Sequence, residues 1–141
     1  MDRNATAVWH GSLKEGKGII STQSGTLHEA RYSFGTRFEN GVGTNPEELI
    51  AAAHAGCFTM ALSGQLTSVE LPPDSLETTA TVTMEKTDDG PTITKIHLVT
   101  RAKVPGIERE KFDELAKKAK EGCPISRLLK AAEITLDAQL V

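Results

Sequence analysis

Residues 44–66, TNPEELIAAAHAGCFTMALSGQL, decide the fold. Thr44 or Asn45 can cap a helix, and Pro46 suits the first turn, where its missing N–H is not needed. Glu47 and Glu48 oppose the positive end of the helix dipole. No breaker follows until Gly64. Apolar or small residues occupy every face near the middle, which predicts a helix buried on most sides. About 20 residues at ~1.5 Å each span roughly 30 Å, the width of a small domain. The many Ala and Gly residues admit another backbone closely, and a like helix from a second subunit is one candidate neighbour.

Upstream, residues 3–10 read as a strand with Ala5, Ala7 and Trp9 on one side. Gly16-Lys17-Gly18 reads as a turn. Residues 18–23 and 26–34 read as strands around a Ser24-Gly25 hairpin signal. Residues 35–43, with Gly35, Asn40, Gly41 and Gly43, read as a loop that carries Arg37 and Glu39.

Downstream, residues 77–87 and 91–104 alternate as two strands around an Asp88-Asp89-Gly90-Pro91 turn. Residues 107–121 form an amphipathic helix with Ile107, Phe112, Leu115 and Ala119 on one face, closed by Gly122. Cys123-Pro124 opens a short helix through Lys130, and residues 132–140 alternate as a last strand. The expected order is β-β-β-α-β-β-α-α-β, an α+β fold with mostly antiparallel strands in one domain, residues 1–141.

Composition agrees with a globular chain. There are 141 residues, 38% apolar and 25% charged, and 16 Lys+Arg against 19 Asp+Glu leave a net charge of −3. These values exclude collagen-like, low-complexity and highly charged disordered chains. The absence of a dense Lys/Arg run argues against nucleic acid. The longest apolar stretch, Leu49 to Leu62, is interrupted by His54 and falls short of the roughly 18 residues a membrane span needs. Met1-Asp2-Arg3-Asn4 lacks the layout of a signal peptide, so the expected place is the cytoplasm. Reducing conditions there argue against a static disulfide, leaving Cys57 and Cys123 as inert core residues or redox groups.

Cys57 falls mid-helix, where a free Cys packs as a small hydrophobe. The helix dipole has faded at that depth, so a reactive Cys57 needs a cation from elsewhere. Cys123 follows Gly122 and precedes Pro124 at a helix start, where free N–H groups lower a thiol's pKa. Local physics therefore makes Cys123 the more reactive thiol. Arg37 is either a solvated surface group or a guanidinium held over a thiolate. Glu47 is its natural orienting partner, since arginine and carboxylate pair in a bidentate way. Helix-start electrostatics alone also explains Glu47 and Glu48. His54, three residues before Cys57, can share its helix face. A structural role is favoured over a Cys/His pair or half a metal site, because His10, His28 and His97 lack ligand spacing. No phosphate loop, G-x-S-x-G or H-E-x-x-H occurs.

The stretch TRFENGVGTNPEELIAAAHAGCFTMAL (36–62) resembles the signature of the OsmC family, within the OsmC/Ohr group of organic hydroperoxide reductases. Further similar stretches are GKGIISTQSGTL (16–27), ITKIHL (93–98), VPGI (104–107), AKEGCPISRLLKA (119–131) and EITLDAQL (133–140). The resemblance covers nearly the whole chain. It implies an intertwined α+β homodimer with long buried central helices and sites at the subunit interface. It implies Cys57 as the peroxidatic cysteine, Cys123 as the resolving cysteine, Arg37 as the cation and Glu47 as the carboxylate holding it. It thereby favours Cys57 over Cys123 as the reactive thiol, because Arg37 supplies the cation the helix cannot.

The implied activity is reduction of organic hydroperoxides to alcohols, in oxidative and osmotic stress defence. Cys57 becomes a sulfenic acid, a Cys57–Cys123 disulfide follows, and a dithiol such as dihydrolipoamide resets the enzyme. No metal, haem, flavin or other cofactor is required. Phe58, Met60 and Leu49 are apolar neighbours that favour an organic peroxide. The alternatives are a non-catalytic redox-sensing or ligand-binding dimer, and a structural dimer with inert thiols. A general dithiol oxidoreductase is disfavoured by the lack of C-x-x-C.

Overall fold

A computed structural model describes all 141 residues. The chain forms two compact units, Met1–Leu49 and Ile50–Val141.

In the first unit, β1 (Ala5–His10), β2 (Lys17–Thr22) and β3 (Ala30–Tyr32) form an antiparallel sheet in the order β1-β2-β3. Lys17 and Gly18 belong to β2 rather than to a turn, because both are needed in the ladder: Lys17 pairs with His10, and Gly18 with Trp9 and Tyr32. The Trp9 and Tyr32 rings approach to 5.3 Å. A Cβ on Gly18 would lie 2.3 Å from Tyr32 and 2.7 Å from Trp9, so only glycine fits between them.

The expected loop at 35–43 contains a short helix instead, α1 (Phe34–Phe38). Its cause is a capping box. The Ser33 hydroxyl accepts from the Thr36 N–H at 3.2 Å, and the Thr36 hydroxyl accepts from the Ser33 N–H at 2.8 Å. These two bonds outweigh the helix cost of Gly35.

The long helix α2 runs from Pro46 to Ser68, 23 residues. Asn45 caps it, its Oδ1 accepting from the Glu48 N–H at 2.8 Å. Only one stripe of α2 is buried: His54, Phe58, Leu62 and Leu66. Ala52, Ala53, Gly56, Met60 and Gly64 are exposed, so burial on most sides is not what a single chain provides. A Cβ on Gly56 or Gly64 would meet nothing within 4 Å. The helix is also more apolar and continuous than Leu49–Leu62 suggests. By length and mean hydropathy (1.3 over its most apolar stretch) it would suffice to cross a membrane. Its buried stripe, however, belongs to the protein's own core.

That core lies in the second unit. β4 (Ser75–Thr87) and β5 (Gly90–Lys103) form an antiparallel hairpin with a bulge at Thr83/Met84, and β6 (Glu133–Leu140) adds parallel to β5. A parallel neighbour needs a crossover, supplied by α3 (Arg109–Gly122) and α4 (Pro124–Leu128). Pro91 is tolerated in β5 because β6 pairs only with Lys95–Ala102, leaving the Pro91 edge free. Period-2 alternation turns Ile96, Leu98, Thr100 and Ala102 to one face. Leu98 and Ala102 join Phe58, Leu62 and Leu66 of α2 and Phe112, Leu115, Ala116 and Ala119 of α3.

Candidate active site

The structure assembles the four sequence-predicted site residues as two pairs, one in each unit.

Arg37 rides on α1, and Glu47 on the first turn of α2. Arg37 Nε donates to Glu47 Oε1 at 3.1 Å and Oε2 at 3.3 Å, and Nη2 donates to Oε1 at 2.7 Å. The Glu47 side chain is only 14% exposed against 40% for Arg37, so the carboxylate is the fixed partner and the guanidinium face stays open. Asn45 secures the pair: its Nδ2 donates to the Thr36 carbonyl at 3.1 Å, tying α1 to the start of α2. Thr44 Oγ1 donates to Glu48 Oε2 at 2.8 Å, so Glu48 serves the helix start while Glu47 serves Arg37.

Beside Arg37 lies a recess of about 280 Å³ lined by Trp9, Leu13, Tyr32, Phe34, Arg37 and Phe38 among others. The guanidinium carbon is 5.3 Å from the Phe38 ring centre, and Phe34 and Phe38 approach to 4.8 Å. Sequence reasoning missed these aromatics. The signal was present in SFGTRF, where Phe34 and Phe38 are i and i+4 about Arg37, but it needs α1 to be read as helix. Of the residues expected to favour an organic substituent, Phe58 is fully buried core, Met60 is 78% exposed and Leu49 is half-buried, and none of the three lines this recess.

In the second unit, Cys123 Sγ donates to Cys57 Sγ at 2.7 Å, and both thiols are free. Cys57 is half-buried and Cys123 wholly buried. Cys123 is the N-cap of α4, yet its side chain makes no cap bond. The backbone at the start of that helix, at Ile125, instead acts to lower the Cys57 pKa. The helix start that local reading assigned to Cys123 thus also acts on the other thiol. Burial, foremost, then the Cys123 hydrogen bond, push the Cys57 thiol above its ordinary value, and the Ile125 backbone pulls it down.

His54 adds a second contact between the same elements. Its Nε2 lies 2.7 Å from Ser126 Oγ, and both residues are buried. Nδ1 is buried without a partner. Burial lowers the His54 pKa, so the ring is neutral. His54 is a core residue, and the structure holds no cluster of three or more His, Cys, Asp or Glu side chains able to bind a metal.

The architecture sets the class first. Two sheets and four helices in this order form the mixed α+β fold of the solved OsmC and Ohr proteins. The crystal structure of an organic hydroperoxide resistance protein OsmC from Legionella pneumophila superposes with a TM-score of 0.71 at 25% identity, over 96% of each chain. That of OhrB of Bacillus subtilis gives 0.68 at 26%, over 98% of each. The chain belongs to the OsmC-like protein family, whose sequence model matches residues 38–138. It is 54% identical over 138 residues to the peroxiredoxin OsmC of Escherichia coli (strain K12), spanning 98% of this chain and 96% of that protein. It is 32% identical over 111 residues to the organic hydroperoxide resistance protein OhrB of Bacillus subtilis (strain 168), spanning 78% and 79%.

Proposed function

We propose that this protein is a cytoplasmic thiol peroxidase that reduces organic hydroperoxides to alcohols in oxidative and osmotic stress defence, as one OsmC-like domain in an intertwined homodimer. The observation that carries the reading is the meeting of Cys57 and Cys123 at 2.7 Å from positions 66 residues apart. The names of the relatives, a peroxiredoxin and an organic hydroperoxide resistance protein, support it.

Mechanistically, a thiol pushed up by burial needs a cation to ionise at neutral pH. Arg37, oriented by Glu47, is that cation, delivered to Cys57 at the subunit interface. The exposed α2 face of Ala52, Ala53, Gly56, Met60 and Gly64 supports an interface there. The Cys57 thiolate attacks the distal peroxide oxygen. The O–O bond breaks, the alkoxide takes a proton and leaves as alcohol, and Cys57 holds the sulfenic acid. Cys123 then attacks that sulfur, water leaves, and the disulfide forms. A dithiol, of lipoyl type, reduces the disulfide and is itself oxidised to its cyclic form. The aromatic recess beside Arg37 would hold the organic substituent. The cycle runs on the two thiols and calls for no further cofactor.

The test is consumption of cumene hydroperoxide with dihydrolipoamide in excess. Many turnovers by wild type, none by Cys57→Ser, and a trapped sulfenic acid in Cys123→Ser are expected. At most one equivalent consumed by wild type would favour the redox sensor, and full activity of Cys57→Ser would transfer the peroxidatic role to Cys123.

A further inference from the structure

Two contacts join α2 to the α4 corner in the same register. Cys57 meets Cys123, and His54, three residues earlier, meets Ser126, three residues later. Residues three apart on a helix lie on one face. His54 and Cys57 share a face of α2, and Cys123 and Ser126 are the cap and third residue of α4, so the contacts are successive rungs between the same two elements, with opposite chain sense.

The corner that carries Cys123 is tied by backbone bonds to α3 and α4, Cys123 N–H to the Ala119 carbonyl and Arg127 N–H to the Cys123 carbonyl, both at 3.0 Å, and neither of these reaches α2. α4 is five residues long and begins immediately after Cys123, itself the last cap of α3. A Cβ on the preceding Gly122 would meet nothing within 4 Å. Cys123 therefore sits at a junction of two helix ends, and the depth at which its thiol reaches α2 depends on what holds α4. The His54–Ser126 bond does so from within the core, with His54 wholly buried and Ser126 3% exposed. A histidine in that stripe is otherwise a poor filler. Its neighbours along the stripe are Phe58, Leu62 and Leu66, and its Nδ1 has no partner. An apolar side chain would avoid that cost. The bond to Ser126 is what the ring contributes in exchange.

We propose that His54 and Ser126 are positioning residues for the resolving thiol: their buried hydrogen bond holds α4 on α2 so that Cys123 stays within reach of the Cys57 sulfur. The role deepens the peroxidase reading and rests on it for the resolving step, Cys57–SOH plus Cys123–SH giving disulfide and water. The closeness it creates is measurable without any peroxide.

The experiment uses three variants of the full chain. Ser126→Ala removes the bond, and Ser126→Thr keeps the hydroxyl. The double variant His54→Leu/Ser126→Ala removes the bond without leaving a buried polar group unpaired, so it folds. The first readout is the equilibrium of the Cys57–Cys123 disulfide with dithiothreitol, which reports how closely the fold holds the two thiols. The second is the lifetime of the trapped sulfenic acid after one equivalent of cumene hydroperoxide. Ser126→Ala and the double variant are expected to lower the effective thiol concentration about tenfold and lengthen the sulfenic acid lifetime by a similar factor. Ser126→Thr should restore both, and the double variant should melt near wild type. Wild-type dithiothreitol equilibrium in the double variant would overturn the positioning role. A displaced equilibrium in the double variant, in a wild-type protein that forms no sulfenic acid, would keep the positioning role and refute the peroxidase instead.

Discussion

Cys57 and Cys123 stand 66 residues apart in the chain and 2.7 Å apart in the fold, sulfur to sulfur. One comes from the interior of α2, the other from the break between α3 and α4. Neither location is reactive on its own terms. Cys57 is too deep in its helix to feel the dipole, and Cys123 is wholly buried with no cap bond. Their meeting does not ionise Cys57 either: burial and the Cys123 hydrogen bond raise its pKa, and the Ile125 backbone offsets this only in part.

Arg37 controls the ionisation of Cys57 in this account. The thiolate is the nucleophile, and burial together with Cys123 raises the thiol pKa. Removing the cation raises it further, so the rate profile moves to higher pH. Below the pKa, each unit of upward movement lowers the thiolate population, and the rate at neutral pH, about tenfold. Arg37→Ala is expected to show this shift in iodoacetamide alkylation of Cys57 against pH. Glu47→Gln is expected to shift it in the same direction by less, because the guanidinium remains but is no longer held.

The exposed face of α2 predicts association. Met60 is 78% exposed on a helix whose neighbours on that face are Ala and Gly. Wild type is expected to sediment as a dimer at micromolar concentration. Met60→Glu places an unpaired charge there and should weaken association at least about thirtyfold. A wild-type monomer at that concentration would remove the dimer and, with it, the delivery of Arg37 across an interface.

Two phenylalanines separate packing from substrate binding. Phe58 is wholly buried among Leu62, Leu66 and Phe112, so Phe58→Ala is expected to cost about 3–5 kcal/mol in chemical denaturation. Phe38 is 44% exposed at the recess beside Arg37. Phe38→Ala should leave stability nearly unchanged and raise KM for cumene hydroperoxide more than for hydrogen peroxide.

His54 leaves a signature in stability against pH. Its folded pKa lies below its ordinary value of 6.5, because burial penalises the charged ring. The unfolded chain therefore binds a proton more readily, and protonation favours unfolding. The sign follows: stability is unaffected by His54 above about pH 6.5 and falls as pH drops through that value toward the lowered one. The His54→Leu/Ser126→Ala variant should show a shallower loss as pH falls below about 6.5 in urea titrations.

The elements with a clean local period were legible in the sequence. The β4–β5 hairpin follows from alternation around Asp88-Asp89, and α3 from its Phe112, Leu115 and Ala119 face. The start of α2 was legible from Asn45 and Pro46. α1 was not, because glycines dominate the reading of residues 35–43 while the capping box that forms the helix lies at Ser33 and Thr36. The Arg37–Glu47 pair was legible as residue types ten apart, although its geometry depends on α1. What no local pattern contains is the docking of α4 on α2. The Cys57–Cys123 and His54–Ser126 contacts join positions about 70 residues apart, which no local reading of either helix contains.

The most direct test is a single turnover. Reduced protein is mixed with one equivalent of cumene hydroperoxide and no external thiol, and the products are mapped by mass spectrometry. The account predicts one equivalent of alcohol and an intrachain Cys57–Cys123 disulfide, formed after a sulfenic acid seen only on Cys57. Alcohol with both thiols still reduced, or a sulfenic acid that first appears on Cys123, would contradict it.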